Sequence, residues 1–178
     1  MLISGNGIST YLNRTTYYVT RRTQFVDLPP SVAKELRQTE YLIRCYLAGV
    51  SFIVQDAARD EEFKATHLLS YLAQDYIQSA ISIIVLAMEG VHNVARRELR
   101  FLIEASIKIC YIHQKSYESL IDEKLKQFDR ELSSQSISSK QKLLLSLLTE
   151  SQRDAFCEEV GRIYGLTSNY VHLTPKQI

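Results

Sequence analysis

Arg97, Arg100 and Glu104 stand three and seven residues apart in the segment HNVARRELRFLIEASIKICYIHQ. On a helix that spacing puts all three on one face, with Lys108 one turn further along. Arg100 and Glu104 can pair directly. Phe101, Leu102, Ile103 and Ala105 surround them, and in such surroundings a charge needs a hydrogen-bonded partner. Two uses of these residues stay open: a packing ion pair or solvated face, and a pair of guanidinium groups that grips an anion such as a phosphate.

His172 is the second residue of interest. It closes the stretch IYGLTSNYVHLT, which also carries Tyr164, Ser168 and Tyr170, where the chain leaves its last amphipathic helix. Side chains on such exits are held by a scaffold and are free to meet a ligand. His67 and His113 read as ordinary helical residues, and His92 as a cap at the start of the Arg-bearing helix. No GxxxxGK[ST], GxGxxG, HExxH or GxSxG pattern occurs, and Cys and His do not cluster. Phosphate-loop, dinucleotide, zinc-hydrolase and serine-hydrolase chemistry therefore have no anchor, and neither a metal nor another cofactor is expected.

The elements that hold these residues follow from composition. The chain has 178 residues, 46% of them hydrophobic and 23% charged, the proportions of a globular domain that buries its own core. Lys plus Arg number 21 against 20 Asp plus Glu, so there is no global field for nucleic acid or an anionic membrane, and any such binding is local. Cys45, Cys110 and Cys157 are far apart and odd in number. That fits a reducing cytoplasm. MLISGNGIST lacks the basic start and apolar run of a secretory leader. The longest charge-free stretch, Tyr76 to Met88, has 13 residues, too short to span a bilayer.

Six Gly and three Pro suit long helices, and an all-α fold is expected. Residues 1–30 stand apart as an extended arm or hairpin, rich in Tyr and Thr and carrying Arg14, Arg21 and Arg22. Such an arm can strap a second copy of the chain or stack on nucleic-acid bases. A single helical domain is expected over 31–178. Its first helix, about 32 to 58, has Ser31 as N-cap and an apolar stripe of Leu36, Ile43, Leu47, Val50, Val54 and Ala57, widened by Leu42, Tyr46 and Ile53. A core helix follows over about 63 to 88, and after Gly90 the Arg-bearing helix over about 91 to 114. A stripe of Tyr117, Ile121, Leu125, Phe128 and Leu132 gives a fourth. Past the serines of 133–139, a short helix is expected over Lys140 to Leu148, and Thr149-x-x-Gln152 offers a capping box for the last helix, which buries Phe156, Val160, Ile163 and Tyr164.

Read together, RRELRFLIEASIKICYI and the Tyr-x-x-x-Ser-x-x-x-His ending of IYGLTSNYVHLT resemble the HEPN-like helical bundles of prokaryotes, in particular the branch found beside defence and toxin–antitoxin genes. The resemblance covers residues from about 65 to 175. It implies an up-and-down bundle of about five helices that forms a homodimer, acting as a metal-independent RNase or a nucleotide-binding partner. By that resemblance His172 is the general acid or base on a ribose hydroxyl or leaving oxygen, Arg100 or Arg97 steadies phosphate charge, Glu104 orients them, and Tyr164, Ser168 and Tyr170 bind. Active members keep a shorter Arg-to-His spacer than Arg162 to His172 or Arg59 to His67 provide here. Two functions are carried forward: an RNA-directed protein, as RNase or degenerate relative, and a non-catalytic dimeric interaction domain that meets a partner protein.

Overall fold

A computed structural model of the chain describes residues 28–134 and 137–168. Most of the N-terminal arm, and Tyr170 and His172, lie outside the described residues. Those described are all-α, with six α-helices, one 3-10 helix and no strand. They divide into two compact units, one ending at Ala95 and the other beginning at Arg96.

The first unit begins with α1, Pro30–Ala57. Pro29 occupies the N-cap and Pro30 the first helical position, whose fixed φ suits a helix start. The chain therefore begins its helix two residues earlier than a Ser31 N-cap predicts, with no side-chain cap. Leu47, Val50, Val54 and Ala57 are buried as the periodicity requires. Leu42 and Ile53 are exposed, so the buried stripe is narrower than the sequence suggests.

The expected second helix is two helices. Asp60 accepts hydrogen bonds from the backbone N–H groups of Glu62 and Phe63 at 2.9 and 3.0 Å and starts α2, Glu61–Thr66. His67 then takes an extended conformation, and α3 follows over Leu68–Met88. It packs on α1, with Tyr46 and Tyr76 stacked at 6.5 Å between ring centroids. At 21 residues α3 is longer than the charge-free stretch alone, and by length and composition it is one helix long and apolar enough to cross a membrane. Its residues Leu68, Ala73, Tyr76, Ile77, Ala80 and Ile84 are buried within the protein. Gly90 ends the run with a φ of +75°, a conformation that a side chain at this position would strain.

α4, His92–Lys115, begins in the first unit and runs on into the second. The second unit adds α5, Ile121–Ser133, and α6, Glu150–Ser168. Tyr117 is exposed in the turn before α5 and does not continue its stripe. Between α5 and α6, Lys140 to Leu148 is not the expected helix. A 3-10 helix covers Ser138–Lys142, and the leucines after it are held in an open path by Gln114, whose Nε2 donates to the Leu144 carbonyl at 3.0 Å while its Oε1 accepts from the Leu144 N–H at 2.9 Å. The Lys140 ammonium lies over Gly161, so a side chain at this position would displace the end of the lysine.

The capping box at the start of α6 is formed in both directions. The Thr149 N–H donates to Gln152 Oε1 at 3.0 Å, and the Gln152 N–H donates to Thr149 Oγ1 at 3.4 Å. Thr149→Ala is expected to cost about 1 kcal/mol. Denaturant unfolding followed by helical circular dichroism measures this, and an unchanged midpoint would show that the box carries no weight.

Candidate functional site

The second unit gathers four polar side chains in one place, and all of the distances below lie within it. Three come from α4, where Arg100, Glu104 and Lys108 follow one another at intervals of four and form a continuous line along the helix. The fourth, Tyr164, comes from α6. Arg100 and Glu104 are about seven-eighths buried, and Lys108 is wholly buried.

Glu104 is the hub. One carboxylate oxygen pairs with the Lys108 ammonium, and the other stands 3.8 Å from Arg100 Nε and accepts from the Tyr164 hydroxyl at 3.3 Å. Arg100 Nη2 donates to that same hydroxyl at 3.0 Å, and its guanidinium carbon lies 4.8 Å from the centre of the Tyr164 ring, a cation–π arrangement. Burial pushes the Tyr164 phenol above its ordinary value, and the Glu104 carboxylate adds to the rise while Arg100 opposes it. At neutral pH the hydroxyl thus keeps its proton to donate to Glu104.

Lys108 reaches further than its carboxylate. Its ammonium also donates to the carbonyls of Glu131 and, at 2.9 Å, Ser134. Glu131 lies in the last turn of α5 and Ser134 just beyond it, where a positive charge is favoured; the Glu131 carbonyl also accepts from the Ser134 N–H at 3.1 Å. Lys124 makes a similar bond to the turn between α4 and α5. It is buried, and its ammonium donates to the Tyr117 carbonyl at 2.9 Å. Neither lysine was marked by the sequence as a capping group. Lys124 sits beside the α5 stripe, where a lysine normally snorkels to solvent.

Burial pushes Lys124 below its ordinary value near 10.5. A lowered lysine value means that the folded state loses this proton at a lower pH than the unfolded state does, so stability rises with pH across that interval. Lys124→Met removes this dependence. The stability of the wild type relative to the variant should rise as pH rises toward 10.5, and a pH-independent difference in denaturation midpoints between pH 7 and 10.5 would contradict it.

The group has two cations against one carboxylate. Arg100 Nη1 is buried without a hydrogen-bond acceptor among the described residues. The unmet acceptor of that N–H is one that a water or an anionic oxygen supplies.

Among the sequence-derived site residues, Arg100, Glu104 and Tyr164 meet. Arg97 is exposed on the outer side of α4 and is not part of this group. Ser168 lies on the last turn of α6, which continues through Gly165, and its hydroxyl donates to the Tyr164 carbonyl at 2.6 Å. His172 and Tyr170 lie outside the described residues. Arg162, at the surface, pairs with Glu159 at 2.6 Å. Among the described residues no group of three or more His, Cys, Asp and Glu side chains is placed to hold a metal ion. A separate open cleft of about 470 Å³ is lined by Lys140, Arg153, Asp154, Cys157 and Glu158 and contains none of the site residues.

Comparison with protein-family models, with curated proteins and with solved structures returns no match.

Proposed function

We propose that the chain is a HEPN-like helical protein of a prokaryotic defence or toxin–antitoxin type system, directed at RNA as a metal-independent RNase or a degenerate relative of one. The observation that supports this reading is the unfilled hydrogen-bonding capacity of Arg100 Nη1, within a cluster whose cations outnumber its carboxylate. A phosphate oxygen fills both deficits at once. Tyr164 and Glu104 fix the guanidinium plane before an anion arrives, which is how a binding group avoids reorganising. His172 follows the last turn of α6 by four residues in sequence, and in this reading it moves the proton on the ribose hydroxyl or the leaving oxygen.

The test is incubation of the purified full chain with mixed RNA in EDTA, wild type against His172→Ala and Arg100→Lys, with RNA binding measured in parallel. Cleavage that persists in EDTA and is lost in His172→Ala supports the RNase. Binding that depends on Arg100 without cleavage supports the degenerate relative. Neither binding nor cleavage overturns both.

A second reading, a non-catalytic dimeric interaction domain, is favoured by a different observation. Arg100, Glu104, Lys108 and Tyr164 already satisfy most of one another's hydrogen bonds, as a network whose purpose is to fix α4, α5 and α6 would. In that case the working surface lies elsewhere on the chain.

A further inference from the structure

α1 has two apolar faces, and only one of them is used. Its inner face, Leu47, Val50, Val54 and Ala57, is buried. On the opposite side Tyr41, Leu42, Phe52 and Ile53 are large, apolar and 44 to 67% exposed. Cys45, Ala48 and Gly49 lie between them and are also exposed. At 100° per residue, Leu42, Cys45, Gly49 and Ile53 fall within a narrow sector, with Tyr41, Ala48 and Phe52 along one edge. A Cβ added at Gly49 would meet nothing within 4 Å, so this glycine is not required by the protein's own packing. An uninterrupted apolar strip of this kind on a helix marks an interaction surface.

The order of residue sizes along the strip indicates its occupant. Two large residues, a small centre and two large residues read nearly the same in both directions about residue 47. We infer that this face of α1 packs against α1 of a second copy of the chain, antiparallel about a two-fold axis at the level of residue 47. That axis sets Leu42 opposite Phe52 of the partner subunit and Cys45 opposite Gly49 of the partner subunit, so that bulk at the ends meets bulk and the small centres let the helices approach. A two-fold interface uses one patch twice and needs this self-complementarity.

Charge selects the same direction. At the start of α1 the exposed cations Lys34 and Arg37 outnumber the exposed acid Glu35, while at its end and just beyond the exposed acids Asp56, Asp60, Glu61 and Glu62 outnumber the one exposed cation, Arg59, which pairs with Asp56 at 3.3 Å. Antiparallel packing brings Lys34 level with Asp60 of the partner subunit and Arg37 close to Asp56 of the partner subunit. Parallel packing would set like charges side by side, which costs association. This interface is independent of the RNA reading, since it uses none of Arg100, Glu104, Tyr164 or His172.

The experiment is light scattering on the full chain at micromolar concentration, with Cys45 as reporter. The wild type should have twice the 20.5 kDa mass of one chain. Phe52→Glu and Leu42→Glu, both at exposed positions, should halve that mass while the helical circular dichroism stays unchanged. In a Cys110→Ser, Cys157→Ser background, a short bismaleimide should cross-link Cys45 to Cys45 of the partner subunit. Arg37→Glu and Asp56→Lys should each weaken the dimer, and together should restore it. A monomeric wild type overturns the proposal, whether Cys45 is then alkylated rapidly, leaving the strip bare, or slowly, which would place the chain's own residues 1–27 or another occupant over it. A dimer that survives Phe52→Glu, or that forms without Cys45 cross-linking, overturns it as well.

Discussion

Glu104→Ala is expected to lower the unfolding free energy by about 3 to 5 kcal/mol, among the largest effects of any single substitution in the second unit. Among the described residues the carboxylate is the only anion in contact with the Lys108 ammonium, and Lys108 is wholly buried. Removing Glu104 leaves that charge with carbonyl partners alone, and leaves the Tyr164 hydroxyl without the acceptor that it has at 3.3 Å. A double-mutant cycle apportions the loss. Glu104→Gln and Lys108→Met should each destabilise, and the double variant should cost at least 1 kcal/mol less than the sum. The same cycle with Arg100→Met should give a smaller coupling, because Arg100 Nε stands 3.8 Å from the carboxylate. Additivity within about 0.5 kcal/mol for Glu104 and Lys108, read from denaturant midpoints, would show that the two do not act as a pair.

His172→Ala is expected to reduce RNA cleavage by about 100-fold or more if the imidazole transfers the proton, since positioned acid or base groups contribute on that scale. Arg100→Lys should reduce it by a similar factor. A lysine keeps the charge but loses the planar fork that contacts Tyr164 and retains an unused N–H for a phosphate oxygen. Tyr164→Phe distinguishes positioning from chemistry. It keeps the ring under the guanidinium and removes only the hydroxyl, so it should weaken RNA binding less than Arg100→Lys does. Cleavage at the wild-type rate in Arg100→Lys would remove the arginine from the reaction, and wild-type cleavage in His172→Ala would remove the imidazole.

How far the sequence could be read depended on whether the deciding partner was near in the chain. α1, α3 and α4 were legible because each carries apolar residues at helical spacing over more than five turns, and the Thr149 capping box because its partners are three residues apart. The break at His67 was not, since no Gly or Pro marks it and the apolar pattern runs on through Phe63, Leu68 and Leu69. Residues 143–148 have strong helix formers, yet the pairing of Gln114 with Leu144, 30 residues away, holds another path. Periodicity also counted both faces of α1 as one stripe, because it detects apolar positions without identifying what covers them. In the site, the Arg100 and Glu104 pairing follows from an i,i+4 spacing. The place of Tyr164 depends on how α6 packs on α4, which no local pattern records.

Lys108 has one further consequence, and it concerns time. Its three acceptors lie 4, 23 and 26 residues away in sequence, whereas Arg100 and Tyr164 are 64 apart. Closing a longer loop costs more entropy, here about 0.8 kcal/mol between 26 and 64 residues. Short closures also form early in folding. As the chain leaves the ribosome, Glu104 and Lys108 emerge together, and the ammonium has its full set of partners once residue 134 has followed. α4 and α5 can thus be joined before α6 exists. Tyr164 then arrives at an arginine and a carboxylate already held in line, so the end of the chain completes a template that the middle has prepared.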